Sequence, residues 1–169
     1  MSTDLSDRIV TTAHWVFKEY CDFDNIVTKT SVILNYMTAL MEVAAADGVL
    51  SEAERRWIIG FANATGAPQV VLDQLQNYQA KGMDELLKVF HIESGHVHGK
   101  YALLSLIYDG FRAAGADEEL HPKEVEAIYA LGKTLGADAK QIKQLYELYM
   151  EEVQLRCKRL AIIFPHGRS

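Results

Sequence analysis

Cysteine, proline and long apolar runs are scarce in this chain, and each shortage closes off a class of protein. Cys21 and Cys157 are the only cysteines in 169 residues. Two such thiols build neither a disulfide framework nor a CxxC metal site. They suit reduced thiols in a cytosolic protein. There are three prolines and no Pro/Gly/Ser-rich linker, so one domain over residues 1–169 is expected. No apolar stretch approaches the roughly 18 residues that a membrane span needs. The first residues, Met1-Ser2-Thr3-Asp4-Leu5-Ser6-Asp7-Arg8, lack the apolar core of a signal peptide. A basic face is missing too. The net charge of −6 argues against a nucleic-acid partner. No G-x-S-x-G, Walker-A or Rossmann pattern is present.

What the chain has is helical periodicity nearly throughout, and nothing that reads as a strand. The pattern predicts about eight helices, an all-α fold. They fall near residues 4–21, 27–46, 51–65, 68–78, 83–90, 97–114, 122–136 and 138–162. Trp15, Trp57 and the tyrosines read as core and helix–helix contacts. The apolar end, Leu160-Ala161-Ile162-Ile163-Phe164, reads as the close of a packed helix, with Arg156, Lys158 and Arg159 suiting the helix dipole. Asp109, inside an apolar helix after Tyr108, admits a buried carboxylate, with an exposed edge as the default reading.

One segment is spelled twice. Residues 47–75 align without a gap on residues 117–145, an offset of 70, with 8 identities in 29 pairs. Asp47 meets Asp117, Leu50 meets Leu120, Glu54 meets Glu124, and Gly66 meets Gly136. A repeat of this kind means one supersecondary unit used twice, here two helical halves near 30–80 and 100–150.

The duplicated carboxylates admit two readings. In the first, Ser51-x-x-Glu54 is a capping box, and His121 (cap), Pro122 (first helical residue) and Glu124 form its counterpart, while Asp47 bonds turn amides. In the second, Asp47-Gly48-Val49-Leu50 followed by Glu54 matches the second half of an EF-hand loop. Early ligands are missing, since Val43 and Ala45, and Ala113 and Gly115, stand where aspartates would. A site then requires the two corners to pool Asp47, Glu54, Asp117 and Glu124, with His121 as an extra donor. Oxygen donors favour Ca²⁺, Mg²⁺ or Mn²⁺, with Zn²⁺ behind them. Clustered carboxylates repel, and their pKa values rise unless a cation neutralises them.

The run Val43-Ala44-Ala45-Ala46-Asp47-Gly48-Val49-Leu50-Ser51-Glu52-Ala53-Glu54 resembles the tellurite-resistance TerB family, in the form A-x-A-D-G-x-(apolar)-S-x-x-E. The N-terminal domain of the DjlA co-chaperones shares that motif. A weaker copy spans Arg112 to Glu124, with Glu118 in place of Gly and His121 in place of Ser. The likeness covers roughly residues 30–150. It implies an all-helical protein with two related halves, cytoplasmic, without catalytic activity, and acting in the stress response to tellurite and other toxic oxyanions. It also implies a divalent cation held by the corner carboxylates, and partnership with other tellurite-resistance proteins at the membrane. A homo-oligomer is compatible with this. The alternative is a protein-interaction scaffold, co-chaperone-like, with no metal.

Two further groups carry chemistry. His91, Glu93, His96 and His98 crowd an irregular loop, and His-x-His with a carboxylate can bind zinc. Solvated loop histidines are the plainer reading, and a metal-dependent enzyme built on them is the least favoured function. The tetrads Glu93–His96 and Glu118–His121 mimic di-iron ligand spacing. One contains Gly95 and the other abuts Pro122, so both belong to turns.

Overall fold

The computed structural model describes residues 2–24, 29–89 and 97–167. Helix α1 spans Ser2–Cys21, α2 Thr30–Ala44, α3 Glu52–Ala64 and α4 Gln69–Gln76. After α5 (Met83–Val89) come α6 (Val97–Ala114), a single 3₁₀ turn (Gly115–Asp117), α7 (Pro122–Thr134) and α8 (Ala139–Ile163). Among the described residues there is no strand, so the all-α expectation holds. Pro68 caps α4 instead of opening it, and Tyr78 falls beyond that helix. His91, Glu93 and His96 lie outside the described residues, and with them the zinc and Glu93–His96 readings.

Helices α2 and α6 form the centre, and their buried residues correspond across the offset of 70. Ile33, Met37, Met41 and Ala44 in α2 answer to Leu103, Ile107, Phe111 and Ala114 in α6, all buried in one continuous core. Around this pair pack α3 and α4 on one side and α7 and α8 on the other. Phe111 lies against the rings of Tyr129, Tyr146 and Tyr149, which ties α6 to α7 and α8. Helix α7 comes close at Gly132. A Cβ built there meets Ile142 at 2.8 Å and Ile107 at 3.0 Å.

The helices start where local chemistry directs. Helices α3 and α7 each run 13 residues and begin 70 positions apart. Both end on the same bond, the Ala67 amide to the Ala62 carbonyl (2.9 Å) and the Ala137 amide to the Gly132 carbonyl (2.8 Å). Such a closure over a left-handed Gly is a Schellman-type stop.

Three sequence expectations need correcting. Asp109 is buried, because Tyr36 donates to its Oδ2 at 2.7 Å and Arg112 lies 3.4 Å from Oδ1. Burial pushes its carboxyl up to about 6, against the pull of Tyr36 and Arg112. Trp15 is 64% exposed, since α1 spends Ala13 and Val16 on the body and turns the indole outward. The end of α8 is not packed. Leu155, Ile162, Ile163 and Phe164 are exposed, because α8 is 25 residues long where its counterpart α4 has 8, and the excess outruns the body.

Candidate metal centre

The two corners are built alike, bond for bond. Asp47 Oδ1 accepts the Val49 amide at 2.8 Å, and Asp117 Oδ1 accepts the Glu119 amide at 3.1 Å. Glu54 Oε2 accepts from the Ser51 amide at 2.6 Å, and Glu124 Oε2 from the His121 amide at 2.7 Å. Ser51 Oγ returns the favour to the Glu54 amide at 3.2 Å. His121 answers with Nδ1, which accepts the Lys123 amide at 3.2 Å. The bonds of Glu54, Ser51, Glu124 and His121 are capping bonds at a helix start, and those of Asp47 and Asp117 close the turn before it.

The backbone between Asp and cap also repeats. Gly48 has φ +110°, and its amide reaches the Ala45 carbonyl at 2.9 Å. Glu118 takes the equivalent place with φ +75°, its amide 3.2 Å from the Gly115 carbonyl. A left-handed conformation strains a residue that carries a Cβ. The second corner therefore keeps the turn in spite of losing its glycine.

The corners meet. Asp47, Glu54, Asp117, Glu124 and His121 line a single cleft of about 150 Å³, together with Val49, Ser51 and Glu119. Glu119 was not a sequence candidate, because its counterpart across the repeat is Val49 and the aligned pair carries no shared charge. Glu54 and Glu124 form the buried floor, while Asp47 is half-buried and Asp117 exposed.

The two floor glutamates act on each other's ionisation. Burial, then the Glu54 carboxylate, then Asp47 push Glu124 up to about 8, against the pull of the His121 amide. Burial raises Glu54 as well, with Asp117 adding to it, although its bonds to Ser51 and the influence of Glu124 offset part of the rise. A like charge beside a buried carboxyl makes ionising both costly, so Glu124 holds its proton above the usual carboxylate range.

Carboxylate oxygens are the donor type that hard divalent cations take. Each of the four matched carboxylates spends one oxygen on a backbone amide. A carboxylate oxygen still has a second partner on the same group to offer. His121, with Nδ1 engaged, has only Nε2 to give. Among the described residues no group of three or more His, Cys, Asp or Glu already stands at ligand spacing. Among the described residues every buried side-chain N or O atom has a hydrogen-bond partner. Glu118 stands in the exposed turn, so the Glu118–His121 tetrad lies outside any helix, as its spacing before Pro122 foretold.

Comparisons with known proteins point one way. A family model described as "Tellurite resistance protein TerB" matches residues 34–147. The fold is similar to the crystal structure of a tellurite resistance protein from Nostoc punctiforme, at 27% identity and a TM-score of 0.76. That match covers 96% of this chain and 98% of the Nostoc chain. No curated protein is significantly similar to the chain.

Proposed function

This chain belongs to the TerB family, and from that premise we propose that it is a non-enzymatic, divalent-cation-responsive binding module of the tellurite stress response. It works through protein partners, other tellurite-resistance proteins at the membrane among them, and it resides in the cytoplasm. The observation that supports this reading is the convergence of Asp47, Glu54, Asp117 and Glu124 on one cleft, at whose base burial pushes the Glu54 and Glu124 carboxyls upward. Asp47, Glu54, Asp117 and Glu124 would hold the ion, Ca²⁺, Mg²⁺ or Mn²⁺ by their oxygen chemistry, with His121 through Nε2 tilting the site toward Mn²⁺ or Zn²⁺. Bound there, the ion would supply positive charge against the clustered carboxylates.

The chain's own part follows from its geometry. Glu54 and Glu124 are the pair whose charges such an ion would offset. Both side chains sit in the first turns of α3 and α7, so any change in their spacing is a change in how those helices meet. We read the two halves as copies of one unit, joined at the corners where each copy places its acids. The partner-binding surface would be the one these helices shape.

Thermal unfolding tests the reading. An ion that binds only the folded state raises stability by roughly 2.7 kcal/mol at a hundredfold excess over its dissociation constant. We expect a Tm rise with Ca²⁺, Mg²⁺ or Mn²⁺ that Glu54→Gln or Glu124→Gln reduces at least severalfold. No rise with any of these ions, in a protein stripped by chelator, overturns it. A second reading, a metal-free scaffold, draws on the capping bonds of Glu54 and Glu124 and the turn bonds of Asp47 and Asp117, which account for one oxygen of every corner acid. It predicts no shift.

A further inference from the structure

Helix α8 leaves the body of the molecule with an apolar stripe uncovered. Leu148, Leu155 and Ile162 stand seven residues apart and are 48%, 64% and 71% exposed. Spacing by seven keeps all three on one face, with a drift of only about 20° per step. The charges flanking this stripe change sign along it. Glu151 and Glu152 flank its first half, and Lys158 and Arg159 flank its second. Among the described residues, neither Glu151 nor Lys158 has an ion-pair partner within the chain. Glu152 is already engaged, accepting from the Tyr108 hydroxyl at 2.9 Å and lying 3.5 Å from Arg112 Nε.

We infer that α8 is a docking face for a second copy of this chain, crossing it antiparallel about Leu155. A two-fold axis through Leu155 sets Leu155 against Leu155 of the second copy and Leu148 against its Ile162. Residues on the same side of the stripe then meet with opposite charge, Glu151 with Lys158 of the other copy and Glu152 with its Arg159. The two-fold repeats every pair, which gives a self-complementary, closed interface. A parallel arrangement would set Glu on Glu and Lys on Lys, which is repulsive.

The same pattern disfavours a lipid surface. A helix that lies on anionic lipid shows cations round its apolar face. Here Glu151 and Glu152 border the stripe, where they would face the headgroups. A single helix face is small for a protein interface, so the dimer forms and dissociates with concentration.

Sedimentation velocity of the full chain over a range of concentrations tests this. The expected result is a monomer on dilution and a dimer when concentrated, abolished by Leu155→Glu. Glu151→Lys and Lys158→Glu each weaken association about tenfold by reversing two symmetric pairs. An equimolar mixture of these two single variants associates again, because each supplies the charge that the other lacks. Circular dichroism checks that the variants, all at exposed positions, keep their helices. A wild-type chain that stays monomeric throughout, a dimer indifferent to Leu155→Glu, or a mixture that fails to associate each overturns the inference. So does co-sedimentation of a monomeric wild type with phosphatidylserine-containing vesicles that Lys158→Glu abolishes, which would assign the face to lipid.

Discussion

At the scale of single residues, the raised carboxyl of Glu124 makes the strongest demand. Glu124 is raised from an ordinary 4.5 to about 8, first by burial and then by its neighbour. A carboxyl that is harder to ionise in the fold stabilises the folded state while it stays protonated. That contribution is fully present below the unfolded value and is lost as pH rises through the folded one. With chelator present, the unfolding midpoint should therefore fall as the solution is taken from about pH 5 to about pH 8. Glu124→Gln keeps a neutral side chain that can accept from the His121 amide. It should flatten the slope and gain on the order of 1 kcal/mol over the parent at the alkaline end. Thermal melts at a series of pH values check this. A slope unchanged by the substitution would place the titrating group elsewhere. The residue types at the corner were legible in the sequence, because Asp and Glu recur at a fixed offset. The burial of Glu54 and Glu124 was not, since nothing in a linear spacing says that two glutamates 70 positions apart are both sunk at the base of one cleft.

At the scale of elements, the helix starts and stops were the legible part. Capping residues act over three or four positions, so Ser51, His121 with Pro122, Gly66 and Gly136 declare themselves locally. The 3₁₀ turn at Gly115–Asp117 was not legible, because a tightened last turn differs from α-helix by one bond and shares its residues. Nor was Glu42. It reads as the polar edge of α2, yet it is buried and pins the segment after α4. Tyr78 Oη donates to its Oε1 at 2.5 Å, the Lys81 amide to Oε1 at 2.8 Å, and the Gly82 amide to Oε2 at 2.8 Å. Three donors converge on one acceptor-only group, so Glu42→Gln turns an amide N–H toward a backbone N–H. We expect a loss of about 2–3 kcal/mol, read by urea unfolding. Faster proteolysis between α4 and α5 should accompany it. A loss below about 0.5 kcal/mol would show that the connection holds by packing alone.

At the scale of the whole molecule, two halves of like sequence became one body by burying matched faces of α2 and α6 against each other. Periodicity shows which residues face inward, and so the helical architecture was readable. It does not show which helix end meets which, and so the cleft was only a conjecture until α3 and α7 were placed. The exposed end of α8 was misread for the same reason. Its apolar residues keep a helical period whether or not anything lies beneath them. Trp57 gives this arrangement an optical consequence. It sits on α3 one turn beyond Glu54, with the Arg112 guanidinium 5.3 Å from its ring and Phe61 at 5.3 Å. Trp15, the other indole, already faces water. The emission of Trp15 should stay fixed when the corners are loaded, while any slide of α3 alters the cation and ring beside Trp57. The unlabelled protein thus carries its own fluorescent gauge of the cleft, read by titrating Mn²⁺-free Ca²⁺ or Mg²⁺ against a Trp15→Phe background. An emission spectrum that never moves while the melting point climbs would mean that α3 holds still as the charge beneath it is exchanged.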